Sequence, residues 1–409
     1  MSQQTTYFTY HFLTGGLTDQ LIIFKICHKL GVSLGYEYVH TPFSFTRSSD
    51  KIDSFIGIND YFTFKVGDPC LKNCEFVEIN LTVLFQKHNF IALSELQGFI
   101  KQKVLNISSS SDKKIIVRFM QTYKIKKGLL FRIYSKFLRL ENQPVRQSQL
   151  SNWLNSQVPD QFDFRSIYFQ ARKKCPRKPR FTDGKIKLLV HIRQGDTAVI
   201  ETPWQTFVPV WKQNQFIEFC DIGHVGDKYI HVHDYFSFLN QFLTYFEKST
   251  FSVIVSSDGY KRGFEKIYKN RHRFNFTSKQ LNELKQAESL YDQEKFALFK
   301  KLDNCLCLVG ETDENLFDLI HSSLIADIIV IGTQQRMLPK LLALYGDVNN
   351  PPILIVLHKG SKPPNYDGIR LDEKRARIIP LKLDEMNLEY VVAEVRQELA
   401  DKMSLRLLD

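Results

Sequence analysis

The sequence predicts an α/β protein of two domains, and three observations point there. Short, continuous apolar runs alternate with amphipathic stretches through the second half of the chain. The first forty residues read strand, tight turn, helix, strand. The length, 409 residues, exceeds one ordinary domain and suits two or more at roughly 150 residues each.

Tyr7 to Leu13 is rich in β-formers, Thr14-Gly15-Gly16 is a turn, and Ile23, Ile26, Cys27 and Leu30 recur at helical spacing. Gly31 then reads as a helix stop, and Tyr36 to Val39 as a short strand. From about residue 45 to 180 aromatic and basic residues mix without a sustained period. The segment from Cys175 to Gly184 carries two Pro and a Gly, and reads as a linker. Beyond it lie Lys187–Ile192, Phe251–Ser256, Ile328–Ile331 and Pro352–Leu357, apolar runs of the kind that fill buried parallel strands. Helical patterns intervene over Tyr235–Lys248, Leu281–Lys300 and Leu316–Ala326, and a last amphipathic helix covers Leu388–Leu399. Strands alternating with helices imply a doubly wound sheet. The expected domains are 1–180, 181–350, and a C-terminal strand and closing helix over 351–409.

Composition excludes several classes. An apolar fraction of 43% with 24% charged residues is ordinary for a folded chain. No apolar run reaches the roughly 18 residues that cross a bilayer, and Met1 to Tyr10 lacks the pattern of an export signal. A cytoplasmic protein is expected. Seven scattered cysteines suit reduced thiols. The net charge of +11 leaves solvated basic faces, an anionic membrane surface or a small polyanionic ligand as readings. Nine basic and no acidic residues fall between Lys113 and Arg139, and six more between Arg172 and Arg180. Peripheral contact with the inner face of a membrane is one expectation from this. Nucleic acid is not expected as a partner, because no recognised module accompanies the charge.

The sharpest candidate for chemistry is His191-Ile-Arg-Gln-Gly-Asp196, at the C-terminal end of a predicted buried strand. In doubly wound sheets, ligands sit just beyond the carboxyl ends of the strands. An Arg there forks onto phosphate oxygens and stays charged. Arg193 therefore suits a reaction in which a nucleoside diphosphate departs and negative charge grows on its β-phosphate. The competing reading is a loop Arg held in a structural ion pair with Asp196.

The hexapeptide resembles the His-x-Arg-Arg-x-Asp signature of the α1,2-, α1,6- and protein O-fucosyltransferases. Three more segments resemble that family in the same order. Thr14-Gly-Gly-Leu-Thr-Asp-Gln20 is similar to its Gly-Gly-x-Gly-Asn-Gln opening. Val253-Ile-Val-Ser-Ser-Asp258 is similar to its strand ending in a small residue and Asp. Asp318 to Asp327 resembles its Leu-Ser-x-Ala-Asp helix. The resemblance covers roughly residues 5–40 and 185–345. It implies a GT-B type fold, with two Rossmann-like domains facing each other across a cleft. It also implies an inverting, metal-independent transfer of fucose from GDP-fucose to a sugar hydroxyl of a glycan or glycolipid, with no cofactor beyond that donor.

Carried onto this chain, the resemblance makes Arg193 the ligand of the donor β-phosphate. His191, Gln194, Asp196, Asp258, Thr333, Gly15, Gly16, Asp19 and Gln20 become donor-site residues. Glu201, ten residues after His191, takes the place of the α1,6 branch's Glu and would receive the acceptor's proton. The chain departs from the pattern at Gln194, where Arg is expected, at Thr18 and Asp19, and at Thr333-Gln334-Gln335. These departures leave open another nucleotide sugar, or a weakened relative that binds a nucleotide or glycan.

Other constellations carry less. No Asp-x-Asp pair occurs in the chain, so the usual grip on a nucleotide-bound divalent ion is missing, and no metal is expected. His231-x-His233, read as a strand, would put two rings on one face with Asp234 and His224 near, a weak zinc pattern. Cys305-x-Cys307 reads as core filling. Trp204 offers either a sugar-stacking face or packing. Thr312-Asp313 opens a helix with a good cap, and the acids Glu311, Asp313 and Glu314 are expected to meet the donor's ribose or base. Gly-x-Gly-x-x-Gly and the P-loop pattern are absent from the chain, which removes the main support for dinucleotide redox and ATPase readings.

Overall fold

Tyr7–His11 is where the first sheet begins, and its fully buried Phe8 organises everything packed around it. A computed structural model describes residues 6–11, 17–39, 74–81, 92–108, 114–120, 165, 168–169, 180–195, 198–212, 215–220, 230–310, 312–332, 338–344, 350–359 and 376–406. The chain divides into two units. One comprises residues 1–176 and 366–370, the other residues 177–365 and 371–409.

In the first unit β1 (Tyr7–His11) leads to α1 (Leu17–Ser33) and β2 (Glu37–Tyr38). Then come β3 (Cys74–Asn80), α2 (Leu93–Ser108) and β4 (Lys114–Met120). The sheet has the order β2-β1-β4-β3, with every pairing parallel. Phe8 lies 5.2 Å from the Tyr38 ring, 6.0 Å from His28 and 6.1 Å from Phe119. Burial beneath these rings pulls the His28 imidazole down to about 4.

Gly31 does not end α1. The helix continues to Ser33, because Gly31 serves another purpose: a Cβ there would stand 2.5 Å from two carbons of the Phe8 ring. The absent side chain lets the helix lie down on β1. The stop is Gly35, at φ +77°, in the left-handed region glycine favours. The Tyr36 N–H donates to the Gly31 carbonyl and the Gly35 N–H to that of Val32, the paired bonds of a Schellman termination.

The second unit is built on β5 (Ile186–Ile192), β9 (Phe251–Ser257), β10 (Cys305–Val309), β11 (Ile328–Gly332), β12 (Ile353–His358) and β13 (Arg377–Lys382). Its helices are α3 (Val232–Thr244), α4 (Lys261–Lys269), α5 (Ser278–Phe296), α6 (Asp313–Ile325), α7 (Leu338–Leu344) and α8 (Leu388–Arg406). The order is β10-β9-β5-β11-β12-β13, all parallel. Every residue of β9, β11 and β12 is buried, which is why those strands read as unbroken apolar runs. The C-terminal strand and helix belong to this same unit. β13 extends the sheet, and Val391, Val392 and Val395 of α8 join its core.

A small antiparallel sheet of β6 (Ile200–Glu201), β7 (Thr206–Lys212) and β8 (Gln215–Cys220) follows β5, and the sequence reading had not singled it out. The α/β class is as predicted, with a parallel sheet in each unit. The strand reading of His231-x-His233 is corrected, because the chain turns into α3 there. His231 is the residue before the helix and His233 lies in its first turn. The Asp234 carboxylate accepts from the His231 N–H at 2.9 Å, satisfying one of the donors a helix start leaves open. No helix among the described residues is long and apolar enough to cross a membrane.

Candidate active site

Numbered along the chain from β5, the sheet of the second unit has the order 3-2-1-4-5-6. Connections leave β5 toward β9 on one side, while β11 continues to β12 on the other. The crevice outside the carboxyl ends of β5 and β11 is thus the topological switch point, where such sheets bind ligands. Arg193 is the first residue past β5, half-buried, at that edge.

The backbone around Arg193 is fixed from β9. Asp258 Oδ1 accepts from the Gln194 N–H at 2.6 Å, and the Gly259 carbonyl accepts from the Gly195 N–H at 2.7 Å. Gly259 has φ +70°, and a Cβ there would meet Asp292 Oδ2 at 2.7 Å. Asp292 accepts from the Tyr260 N–H at 2.9 Å and starts the next link of the same staple. Burial raises the Asp292 carboxyl above its ordinary range, against the opposing pull of that bond.

His191 and Gln194 turn inward. His191 is 6% exposed and Gln194 fully buried, so neither presents its side chain at the unit's surface. Burial first, and Arg193 second, lower the His191 imidazole to about 3, with the Ser256 backbone pulling the other way. His191 is therefore neutral in the folded protein near pH 7.

A stability consequence follows. Unfolded, His191 takes a proton near its ordinary value of 6.5; folded, it refuses one until about 3. Its contribution is complete above 6.5 and is lost progressively as pH falls toward 3, at up to about 1.4 kcal/mol per pH unit. Guanidinium denaturation of the second unit at pH 7 and pH 5 checks this: a midpoint independent of pH there would be the contrary result. His28 in the first unit acts with the same sign.

Glu201 ends β6 and is already engaged. Its Oε2 lies 2.7 Å from Lys295 Nζ, and its Oε1 is 3.8 Å from His231 Nδ1. The Glu201 N–H donates to the Tyr291 hydroxyl at 2.8 Å. Burial pulls the Lys295 ammonium down, but its hydrogen bond to Glu201 and the nearby Tyr291 outweigh this and hold it above the usual lysine value. Farther along the same edge, Lys359, the residue after β12, pairs with Asp234 at 2.6 Å. Sequence reasoning missed Tyr291, Lys295 and Lys359. The spacing His231-x-x-Asp234, a helix-start pattern, was the signal that would have placed His231 and Asp234 correctly.

The remaining candidates are distributed. Asp19 and Gln20 lie in the first turn of α1, in the first unit. Gly15, Gly16, Asp196 and Thr333 fall outside the described residues, as do Glu311 and His224. Trp204 packs edge-on against Phe207 at 5.6 Å and Phe276 at 5.7 Å, so packing accounts for it. Thr312 caps α6 as expected, accepting from the Asn315 N–H. Glu314 and Asp318, however, hold Arg180, at 3.0 and 3.2 Å, which gives Glu314 a partner from the linker. Cys305 and Cys307 pack against the core of the second unit. Among the described residues no three His, Cys, Asp or Glu side chains converge as a metal ion requires.

No protein-family model matches the chain, and neither does any curated protein. Among solved structures, a glycosyl transferase family 9 protein from Veillonella parvula is similar over 100% of this chain and 99% of its own, at 10% identity and a TM-score of 0.33. A likeness that slight assigns no activity, and the α/β class rests on the strand pairings themselves.

Proposed function

We propose that the chain is an inverting, metal-independent glycosyltransferase that moves fucose from GDP-fucose to a sugar hydroxyl of a glycan or glycolipid. The observation that carries this reading is the place of Arg193. It is a permanent cation at the switch point of a sheet in 3-2-1-4-5-6 order, on a loop stapled by Asp258 and Gly259. A guanidinium fixed there offsets charge growing on a departing diphosphate without having to reorganise. Two parallel-sheet units in one chain are the parts from which a GT-B transferase is made. The choice of fucose and guanine rests on the resemblance of the four motifs.

In this mechanism the acceptor hydroxyl attacks the anomeric carbon from the face opposite the diphosphate. The glycosidic C–O bond breaks with its electron pair going to the β-phosphate oxygen, beside Arg193. The acceptor's proton passes to the acid–base group built around Glu201.

Nucleotide binding tests the reading directly. With EDTA present, GDP at about 100 times its Kd is expected to stabilise the protein by about 2.7 kcal/mol and raise its Tm, while UDP, ADP and CMP do not. A melting temperature indifferent to all four nucleotides would remove the proposal. A shift by UDP alone would keep the transferase and replace the donor.

A further inference from the structure

Five alternating groups run along the carboxyl edge of the second sheet: Lys359, Asp234, His231, Glu201 and Lys295. They reach from the end of β12 to the small sheet that follows Arg193. β12 is two strands from β5, about 10 Å across the ladder at ordinary strand spacing. The row therefore lies along the same carboxyl edge as Arg193, the residue that follows β5.

Within that row Glu201 is poorly suited to take a proton itself. One carboxylate oxygen is occupied by Lys295 at 2.7 Å, and protonating the group would forfeit a charge-assisted bond. Its other oxygen faces His231 Nδ1 at 3.8 Å, beyond a hydrogen bond but close enough for charge to act. The His231 side chain is 36% exposed, so a substrate can reach the ring. Its backbone is fixed by the Asp234 carboxylate at 2.9 Å, which anchors the residue at the start of α3.

We infer that His231 accepts the proton of the attacking hydroxyl, and that Glu201 is the positioning carboxylate which, held by Lys295, orients and stabilises the resulting imidazolium. The inference rests on the transferase reading above. As the oxygen–carbon bond to the sugar forms, the O–H bond breaks and its proton passes to the imidazole. The electron pair of the breaking C–O bond leaves with the diphosphate. The imidazolium is met by the carboxylates of Glu201 and Asp234, which are paired in turn with the ammonium groups of Lys295 and Lys359. In the resting protein His231 is held below its ordinary value, by burial first; Glu201 and Asp234 pull it up, and Lys359 and Lys295 pull it down. The ring is thus neutral, and able to act as a base, at pH 7.

The test measures GDP release from GDP-fucose, with water as acceptor, between pH 5 and 8, alongside calorimetric GDP binding. His231→Gln should lower kcat by about 10²-fold or more, keep the wild-type affinity for GDP, and remove the acid limb of the pH profile. Glu201→Gln should lower kcat less and move that limb to lower pH, because a group that raises His231 has gone. His231→Gly should regain turnover when imidazole is added, a response no purely structural role gives. Wild-type kcat and an intact acid limb in His231→Gln would overturn the assignment while GDP binding leaves the transferase reading standing. So would a full loss in Glu201→Gln with none in His231→Gln. A wild-type protein that neither binds GDP nor releases it from GDP-fucose would take both readings down together.

Discussion

Arg193→Ala is expected to reduce GDP release from GDP-fucose by about 10²–10³-fold, the usual cost of deleting one fixed donor to developing charge. Most of the loss should fall in kcat, because the contact strengthens as the diphosphate leaves. Arg193→Lys should recover only part of it. A single ammonium restores the charge but not the planar fork that meets two oxygens at once. Stability should change little, since Arg193 is half-buried and lies beyond the strand's end. Steady-state kinetics of the two variants, with melting temperatures as the control for folding, decides the matter. Unaltered kcat in Arg193→Ala would mean that this guanidinium does not see the leaving group.

Gly332→Ala should destabilise the second unit by about 2–3 kcal/mol, as overpacking of a well-filled interior does. Gly332 is the last residue of β11. An added methyl would run into the Tyr235 hydroxyl and lie 3.1 Å from Ile230 Cδ1, and Tyr235 is only 3% exposed. Tyr235 sits on the first turns of α3, four residues after His231, so the side chain has little room to retreat without moving the helix start. Removing the obstructing oxygen should return part of the loss. Tyr235→Phe with Gly332→Ala is expected to be more stable than the sum of the two single changes. Urea denaturation reads both effects in the midpoint, at unchanged m. A midpoint for Gly332→Ala equal to that of the parent would mean the crowding relaxes at no cost.

Elements buried on both faces were the legible ones. β5, β9, β11 and β12 announce themselves as apolar runs because helices cover them on either side. β4, KIIVRFM, lies inside the basic stretch from Lys113 to Arg139 and was read as charge. β13, RIIPLK, was hidden by Pro380 and two cations. As the last strand in the order it pairs, among the described residues, with β12 alone, and such an edge tolerates a residue with no N–H to give. His231-Val-His233 shows how a two-residue alternation misleads. The period suggested a strand, whereas the carboxylate three residues on marks the first turn of a helix. Gly31 misled in the same way, since a glycine near a helix end reads as a stop whether backbone conformation or close packing requires it.

The site was legible only in part, for a reason of distance along the chain. Arg193 stands at the end of an apolar run, so local pattern alone locates it. Lys295 reaches Glu201 from 94 residues away. On an amphipathic helix it looks like any solvated lysine. Lys359 is likewise ordinary until the sheet order brings the end of β12 toward the start of α3. Groups assembled by topology leave no signature in spacing.

That topology also governs how the second unit comes to exist. β5 occupies the middle of the sheet, yet one of its two neighbours, β11, is made long afterward. The Lys187 N–H finds its acceptor on Asp327, 140 residues later. Until then a nascent chain can zip β5 to β9 and β9 to β10 but leaves the other flank of its central strand bare. Such non-local closure slows folding and invites sticking between incomplete chains. Fragments ending before residue 328 are therefore poor carriers of this unit, however intact their early half.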